Sequence, residues 1–532
     1  MQRPEIFISA GALFLVPSTA KLARGGPIEA HYAIERFLKS SRQPVILEPG
    51  TEPIAILTNN FQLTCRREIV TLEVWDETHN LVRRVRRILE EHRSRLEIEV
   101  ERFGARTGHL TMADLAHPAN RETSRRGSRL KYRERFRRSL LRQFVGWRLL
   151  ELSTEPDLQH TLSPSYPRAF LRKGRVGLAA IGAAEDSLDP DGALSFGLIW
   201  LDYLRKREPG VAIQGLAIFV PSAREATTCH RVRHLDNSIV SYAVFVHHSD
   251  GSEDPVNPGD YTNFDTRIEP CRQPLIESRP ELLEWVQRLA AIEGVERRDQ
   301  PDGSVSLAVN GMEFARASGA NLLFGLEQRH SASQANLREV AALAEGLTQM
   351  RHAASLSIGN PLSTRHPEAW LESQVRADIE RIDARLLRSP IYGQVPQFAG
   401  GDRGVMDLLA AERSGRLAVI EIKASQDVHL PLQALDYWMR VKWHLERGEF
   451  SGRGYFPGLE LVAKPPLLLL VAPALEFHPT NEVLLRYFSP EIHAERVGVG
   501  IQWRQELRVM FRRGFARTCS PFNATLSRRS QI

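Results

Sequence analysis

Cysteine is scarce in these 532 residues. The four present, Cys65, Cys229, Cys271 and Cys519, lie far apart and never form a C-x-x-C pair, which excludes a disulfide scaffold and a zinc knuckle. Long apolar runs are missing as well. A membrane helix needs about 20 consecutive apolar residues, and Pro465–Val471 is far shorter, so no membrane partner is expected. Lysine is nearly absent, 8 against 62 arginines. A GC-rich genome produces the same bias, so arginine abundance alone says nothing of phosphate binding. The stretch Ile6–Val16 followed by Ser18–Ala20 has the outline of a signal peptide. Met1–Glu5, however, offsets its one Arg with a Glu where a signal wants net positive charge, and a cytoplasmic protein is expected.

What is present is an ordinary globular composition, 42% hydrophobic and 25% charged, long enough for several domains. The net charge of +6 is unevenly spread. Between Arg121 and Arg148 stand eleven basic residues and only two acids, Glu122 and Glu134, which leaves the remainder of the chain net negative. Such a segment is the electrostatic footprint of a polyanion partner. A solvated basic helix or arm carries the same charge. The candidates for gripping nucleic-acid phosphates are Arg125, Arg126, Arg129, Lys131, Arg133, Arg137 and Arg138. Tyr132, Phe136, Phe144 and Trp147 interleave them, and their helical spacing favours packing over base stacking.

Apolar runs up to Trp75, among them Pro44–Leu47 and Ile54–Leu57, read as strands. Leu81, Val82, Val85, Ile88 and Leu89 recur at spacings of three and four and predict a helix from Asn80 to about Leu96. Farther on, strands are expected at Val176–Ile181, Ile213–Val220 and Ile239–Val246, with a helix at Leu198–Arg205. Cys229, His230, His234, His247 and His248 have no metal-ligand register. Helices at Pro280–Ile292 and Leu337–Met350 flank a hairpin turning at Asn310-Gly311, and no internal repeat is visible. The organisation expected is a mixed α/β domain over 1–120, a basic helical segment over 121–153, a β-rich mixed α/β region over 154–355, an α/β domain over 356–514 and a tail over 515–532.

The chemistry concentrates after residue 366. Leu371, Val375, Ile379, Ile382 and Leu386 predict a helix over Trp370–Leu387, with Glu372 at the edge of the stripe. A strand from Gly404 to Glu412 turns at Arg413–Gly415 into a second strand from Arg416 to Ala424. A three-residue loop there sets Glu412 opposite Arg416, and therefore Asp407 opposite Glu421 with Cβ atoms about 5 Å apart. Lys423 projects to the same face as Glu421. Both faces are otherwise apolar, as in a strand buried within a sheet. Two facing carboxylates there repel each other, and a divalent cation between them, Mg²⁺ by the hardness of its oxygen ligands, removes the repulsion. A carboxylate–lysine ion pair needs no metal, but leaves one acid uncompensated.

Asp407, Glu421-Ile422-Lys423 and the Gln433/Tyr437 pair together resemble the PD-(D/E)xK nuclease superfamily, most closely its NucS-like, Mrr-like and RecB-like members. The likeness covers about residues 366–505. It implies a restriction-endonuclease-like domain, a mixed central sheet flanked by helices, preceded by mixed α/β domains. It also implies Mg²⁺-dependent hydrolysis of phosphodiester bonds, with Mn²⁺ as an alternative cofactor and DNA as the substrate. Carried over, Asp407 and Glu421 ligate the metal, Lys423 positions the water, Glu372 reaches the metal through water, and Gln433 orients the site. Two further functions stay open: a nucleic-acid-binding scaffold whose nuclease-like domain is silent, and a ligand-gated defence effector. A single centre that cuts both strands of a duplex favours a homodimer.

Overall fold

The computed structural model describes residues 26–515 except 48–53, 58–59, 67–68, 76–79, 103–105, 186, 188, 249, 265, 353–364, 394, 396 and 399–407; at 80, 102, 106, 118–128, 275, 397 and 398 it describes the backbone only. The chain is mixed α/β, with several sheets and helices, and it divides into two units at Arg135/Phe136. The division falls within α2 (Pro118–Gln143); α1 (Pro27–Ser40) belongs to the first unit.

Seven antiparallel strands build the first unit: β1 (Pro44–Leu47), β2 (Ile54–Ala55), β3 (Phe61–Arg66), β4 (Ile69–Trp75), β5 (Asn80–His92), β6 (Arg95–Arg102) and β7 (Arg106–Asp114), in the order β2-β1-β7-β6-β5-β4-β3. Two expectations are corrected here. Asn80–His92 is a strand, not a helix. Bulges between Val85 and Arg87 and between Ile88 and Glu90 shift the inward alternation, so that Leu81, Val85 and Ile88 are all buried at spacings that imitate a helix. Conversely, Pro27–Ser40 lies in a stretch read as strands and is helical. Ala30, Ala33, Ile34 and Phe37 form its buried stripe against the sheet.

Among the described residues the second unit holds two mixed sheets, a five-stranded antiparallel sheet and a two-stranded antiparallel pair. The first mixed sheet comprises β8 (Arg148–Ser153), β9 (Arg168–Lys173), β10 (Val176–Gly182), β11 (Ala212–Pro221), β12 (Ser241–His247) and β13 (Glu253–Val256), in order. Its centre β10-β11-β12 is parallel and its margins antiparallel. The helices α3 (Gly192–Arg207) and α4 (Glu225–Arg233) are the parallel crossovers. A short pair, β14 (Thr266–Arg267) with β20 (Gln397–Phe398), follows. The antiparallel sheet, β15 (Val295–Asp299), β16 (Val305–Val309), β17 (Met312–Ser318), β18 (Asn321–Phe324) and β19 (His330–Ser331), packs with α5 (Pro280–Ala290) and α6 (Leu337–Met350) around its own core. Its β16–β17 turn has Asn310 at φ 46° and Gly311 at φ 78°, as the Asn-Gly pair requires.

The last sheet is β21 (Leu408–Ala411), β22 (Leu417–Ile422), β23 (Leu467–Pro473), β24 (His493–Val499) and β25 (Val509–Gly514), again in order. The strands β22, β23 and β24 are parallel to one another, and β21 and β25 are antiparallel margins. Between them lie α9 (Leu430–Glu446), α10 (Glu449–Gly452) and α11 (Thr480–Leu485). The helix expected over Trp370–Leu387 is shorter and broken, into α7 (Pro367–Ala377) and α8 (Ile379–Ile382), because Asp378 leaves helical geometry at φ −141°. The strand β24 ends at Val499, where Gly500 and Trp503 enter a turn. One apolar core joins residues between Leu162 and Ile268 to residues between Tyr392 and Ala494, and so binds both mixed sheets into one body.

Candidate active site

The hairpin β21–β22 pairs Leu408 with Ile420, Leu409 with Val419, Ala410 with Ala418 and Ala411 with Leu417. That register follows from a three-residue loop at Arg413–Gly415. Gly415 adopts φ 83°, and a Cβ there would come within 2.0 Å of the Glu460 carbonyl oxygen, so the turn demands glycine. Asp407 lies outside the described residues.

The two faces of β22 go to two different cores. Leu417 and Val419 join the core of α3 and α9, whereas Ala418, Ile420 and Ile422 join that of α7 and α8. Glu421 therefore ends a strand that is buried on both sides, and is itself 5% exposed. Among the described residues no hydrogen bond or ion pair reaches its carboxylate. Burial pushes its pKa up to about 8; Lys423 works against this, and Glu368, Asp427 and Asp436 push further in the same direction.

Lys423 continues from β22, its backbone N–H donating to Val471 O at 3.0 Å. Its Nζ lies 3.7 Å from Asp427 Oδ2. Asp427 is held by its own loop: its Oδ1 accepts from the His429 backbone N–H at 2.7 Å, and its carbonyl accepts from Asn481 Nδ2 at 2.9 Å. Asn481 is fully buried in α11. The imidazole of His429 sits 3.0 Å (Nδ1) from Ser195 Oγ in α3, and burial lowers its pKa. Asp436, one turn into α9, is clamped by Arg231 of α4, Nε to Oδ1 at 2.9 Å and Nη2 to Oδ2 at 2.7 Å.

Sequence reasoning singled out Glu372 on the first helix. The structure places it in ion pairs with Arg376 at 3.0 Å and with Arg298 of β15 at 3.5 Å. The acid of α7 that acts on Glu421 is Glu368, one helical turn earlier. An i, i+4 pair of glutamates was the available signal, since both residues share one face of the helix. Gln433 is exposed on α9, whereas Tyr437 is buried and donates its hydroxyl to Val395 O at 2.5 Å. Asp436 and Arg231 were not anticipated either, because they are partners remote from each other in sequence.

No family model, curated protein or solved structure matches the chain.

Of the basic candidates, Lys131, Arg137 and Arg138 are exposed on α2, and Arg129 and Arg133 are half-buried. The side chains of Arg125 and Arg126 lie outside the described residues. Past the unit boundary, Phe136 packs edge-on against Phe219 with ring centres 5.2 Å apart, and Leu140 is buried. Arg142 is committed to the fold, donating to Glu253 and to the Gly251 carbonyl. No helix among the described residues is long and apolar enough to cross a membrane.

The site is rich in carboxylates. Around Glu421 stand Glu368, Asp427 and Asp436 against Lys423, with Arg231 already engaged by Asp436. Among the described residues, no three His, Cys, Asp or Glu side chains converge as a ready metal cluster. Among the described residues no protein cation is bonded to Glu421, whose carboxylate is the hard oxygen donor that a Mg²⁺-type ion takes.

Proposed function

We propose that the C-terminal sheet of the second unit carries a metal-dependent phosphodiesterase centre and that the protein is a nuclease acting on DNA. One observation carries this reading. A buried carboxylate, Glu421, to which no hydrogen bond or ion pair is made among the described residues, stands near the carboxyl end of the parallel strand β22, with Lys423 two residues beyond it. Parallel sheets place ligand chemistry at the carboxyl ends of their strands. The strand order, a hairpin followed by two helix-connected parallel strands, is consistent with a restriction-endonuclease-like domain.

In this centre Glu421 would hold a Mg²⁺ ion, with Asp407 as the second ligand that the sequence resemblance supplies. Such an ion, when bound, would supply charge stabilisation at the scissile phosphate. Lys423, steadied by Asp427, orients the attacking water and donates to the phosphate oxygens. Glu368 adds negative charge that favours cation capture. The exposed arginines of α2 grip the phosphate backbone without reading sequence. Labelled single- and double-stranded DNA and RNA, incubated with Mg²⁺, Mn²⁺ or EDTA, test this directly. Metal-dependent cutting that Lys423→Ala abolishes supports the centre, and cutting that survives the substitution removes Lys423 from it.

A further inference from the structure

The two mixed sheets of the second unit share one plan. Each contains an antiparallel hairpin, β9–β10 or β21–β22, with β8 added outside β9 in the first. Each then passes through a long helix, α3 or α9, to a parallel strand, β11 or β23, and through a shorter helix, α4 or α11, to another, β12 or β24. Each closes on an antiparallel margin, β13 or β25. The registers match as well. Ile218 pairs with Ile181 and with Val244, as Leu470 pairs with Glu421 and with Arg496. The same number of residues separates Ile218 from Leu470 as Val244 from Arg496, so no insertion intervenes through the second crossover.

The two copies meet reciprocally. The helix α3 of the first packs on α11 of the second, and α4 of the first on α9 of the second. The segments following α4 and α11 meet in an isolated antiparallel β-bridge. Leu235 bridges Phe488, Asp236 N–H donates to Tyr487 O at 2.8 Å, and Ser489 N–H donates to His234 O at 2.9 Å. At the spacing above, Leu235 corresponds to Tyr487 and Asp236 to Phe488, so both halves bring equivalent segments to this bridge. The reciprocal packing of α3 on α11 and α4 on α9 is the arrangement of an isologous contact, made here within one chain.

Only one copy carries the chemistry. Ala183 N–H donates to Phe219 O at 2.9 Å, as Lys423 N–H donates to Val471 O at 3.0 Å. Ala183 therefore stands where Lys423 does and Ile181 where Glu421 does, and both are buried and apolar.

We infer that residues 168–256 are a silent second copy folded into the place of a dimer partner, and that the chain works as a monomer breaking one strand of duplex DNA per encounter. The cleavage half of this inference rests on the nuclease reading. The break adds one water across one P–O bond: its oxygen joins phosphorus, the bond to the leaving sugar oxygen breaks, that oxygen takes one proton, and the other passes to solvent. The silent half also buttresses the active one, through Arg231 on Asp436 and Ser195 on His429.

Supercoiled plasmid with a substoichiometric amount of full-length protein and Mg²⁺ or Mn²⁺ tests the first part, and sedimentation of the same protein at micromolar concentration tests the second. Nicked circles that accumulate until the supercoiled form is spent, together with the mass of a single chain, are the expected results. Linear DNA appearing in step with the loss of supercoiled DNA, or the mass of a dimer, would overturn the inference. Should neither metal support any cutting, the nuclease reading and the one-strand break fall together. The mass then decides the fused pair alone, a monomer upholding it and a dimer refuting it.

Discussion

Arg231 of α4 grips both carboxylate oxygens of Asp436 in α9, at 2.9 and 2.7 Å, from a side chain only 7% exposed. The two residues are far apart in sequence and belong to the two different mixed sheets. A two-armed guanidinium–carboxylate bond is geometrically demanding. It fixes α9 beside α4 and neutralises an acid that would otherwise raise Glu421 further. Removing one member of a buried pair leaves the other charged and unmatched, at a cost of about 3–5 kcal/mol. Arg231→Ala is therefore expected to lower the denaturant midpoint markedly. Arg231→Met combined with Asp436→Leu should recover much of that loss, and equilibrium urea unfolding of the three proteins measures both effects.

The raised pKa of Glu421 fixes the sign of a pH effect. From the ordinary carboxylate range up to about 8, the folded state holds a proton that the unfolded state has released. Stability without metal should therefore fall as pH rises through that window and level off above it. Thermal melts in EDTA from pH 5 to pH 9 should show the decline, and Glu421→Gln should flatten it. A bound cation replaces the proton, so Mn²⁺ should raise the melting temperature more at pH 8 than at pH 5.

On the nuclease reading, Asp427 would act on the centre through Lys423, its ion-pair partner at 3.7 Å, and not by touching substrate. Asp427→Asn keeps an acceptor for the His429 backbone N–H but loses the ion pair at 3.7 Å. The expected outcome is a fall of roughly ten-fold or more in single-turnover cleavage rate, in line with the loss of one positioned electrostatic group. DNA affinity in EDTA should be unchanged, and a filter-binding titration beside the rate measurement separates the two.

Arg137 and Arg138 are exposed on α2. Each phosphate contact contributes about 0.9 to the slope of log K against log salt concentration. The double substitution Arg137→Glu, Arg138→Glu should weaken DNA binding at low salt and flatten that slope by about 2. Anisotropy titrations at several NaCl concentrations read both quantities, and an unchanged slope would assign the grip to other residues.

The site hairpin was legible because turn chemistry and alternation are local. Gly415 and the apolar residues on both faces of β22 determine the register that Leu408↔Ile420 displays. Leu337–Met350 was legible for the same reason. Asn80–His92 was misread because two bulges rewrite the period that periodicity reasoning depends on. Glu368 was passed over for Glu372 because helical spacing gives a face, and only tertiary contact shows that Arg298 occupies Glu372. The duplication escaped notice because strand order and hydrogen-bond register conserve almost no side chains. Positions such as Ile181 and Glu421 are equivalent in pairing and opposite in chemistry.

The pairing of Leu235 with Phe488 has a consequence in the chemistry of dilution. Two separate subunits part as their concentration falls below the dissociation constant, and any centre buttressed by a partner weakens with them. Halves tethered in one chain face each other at an effective concentration near the millimolar range, whatever the bulk value. The clamp of Arg231 on Asp436 is therefore as complete for a single molecule as for a concentrated solution, and the specific activity per chain should hold constant down to the most dilute assay that can detect it.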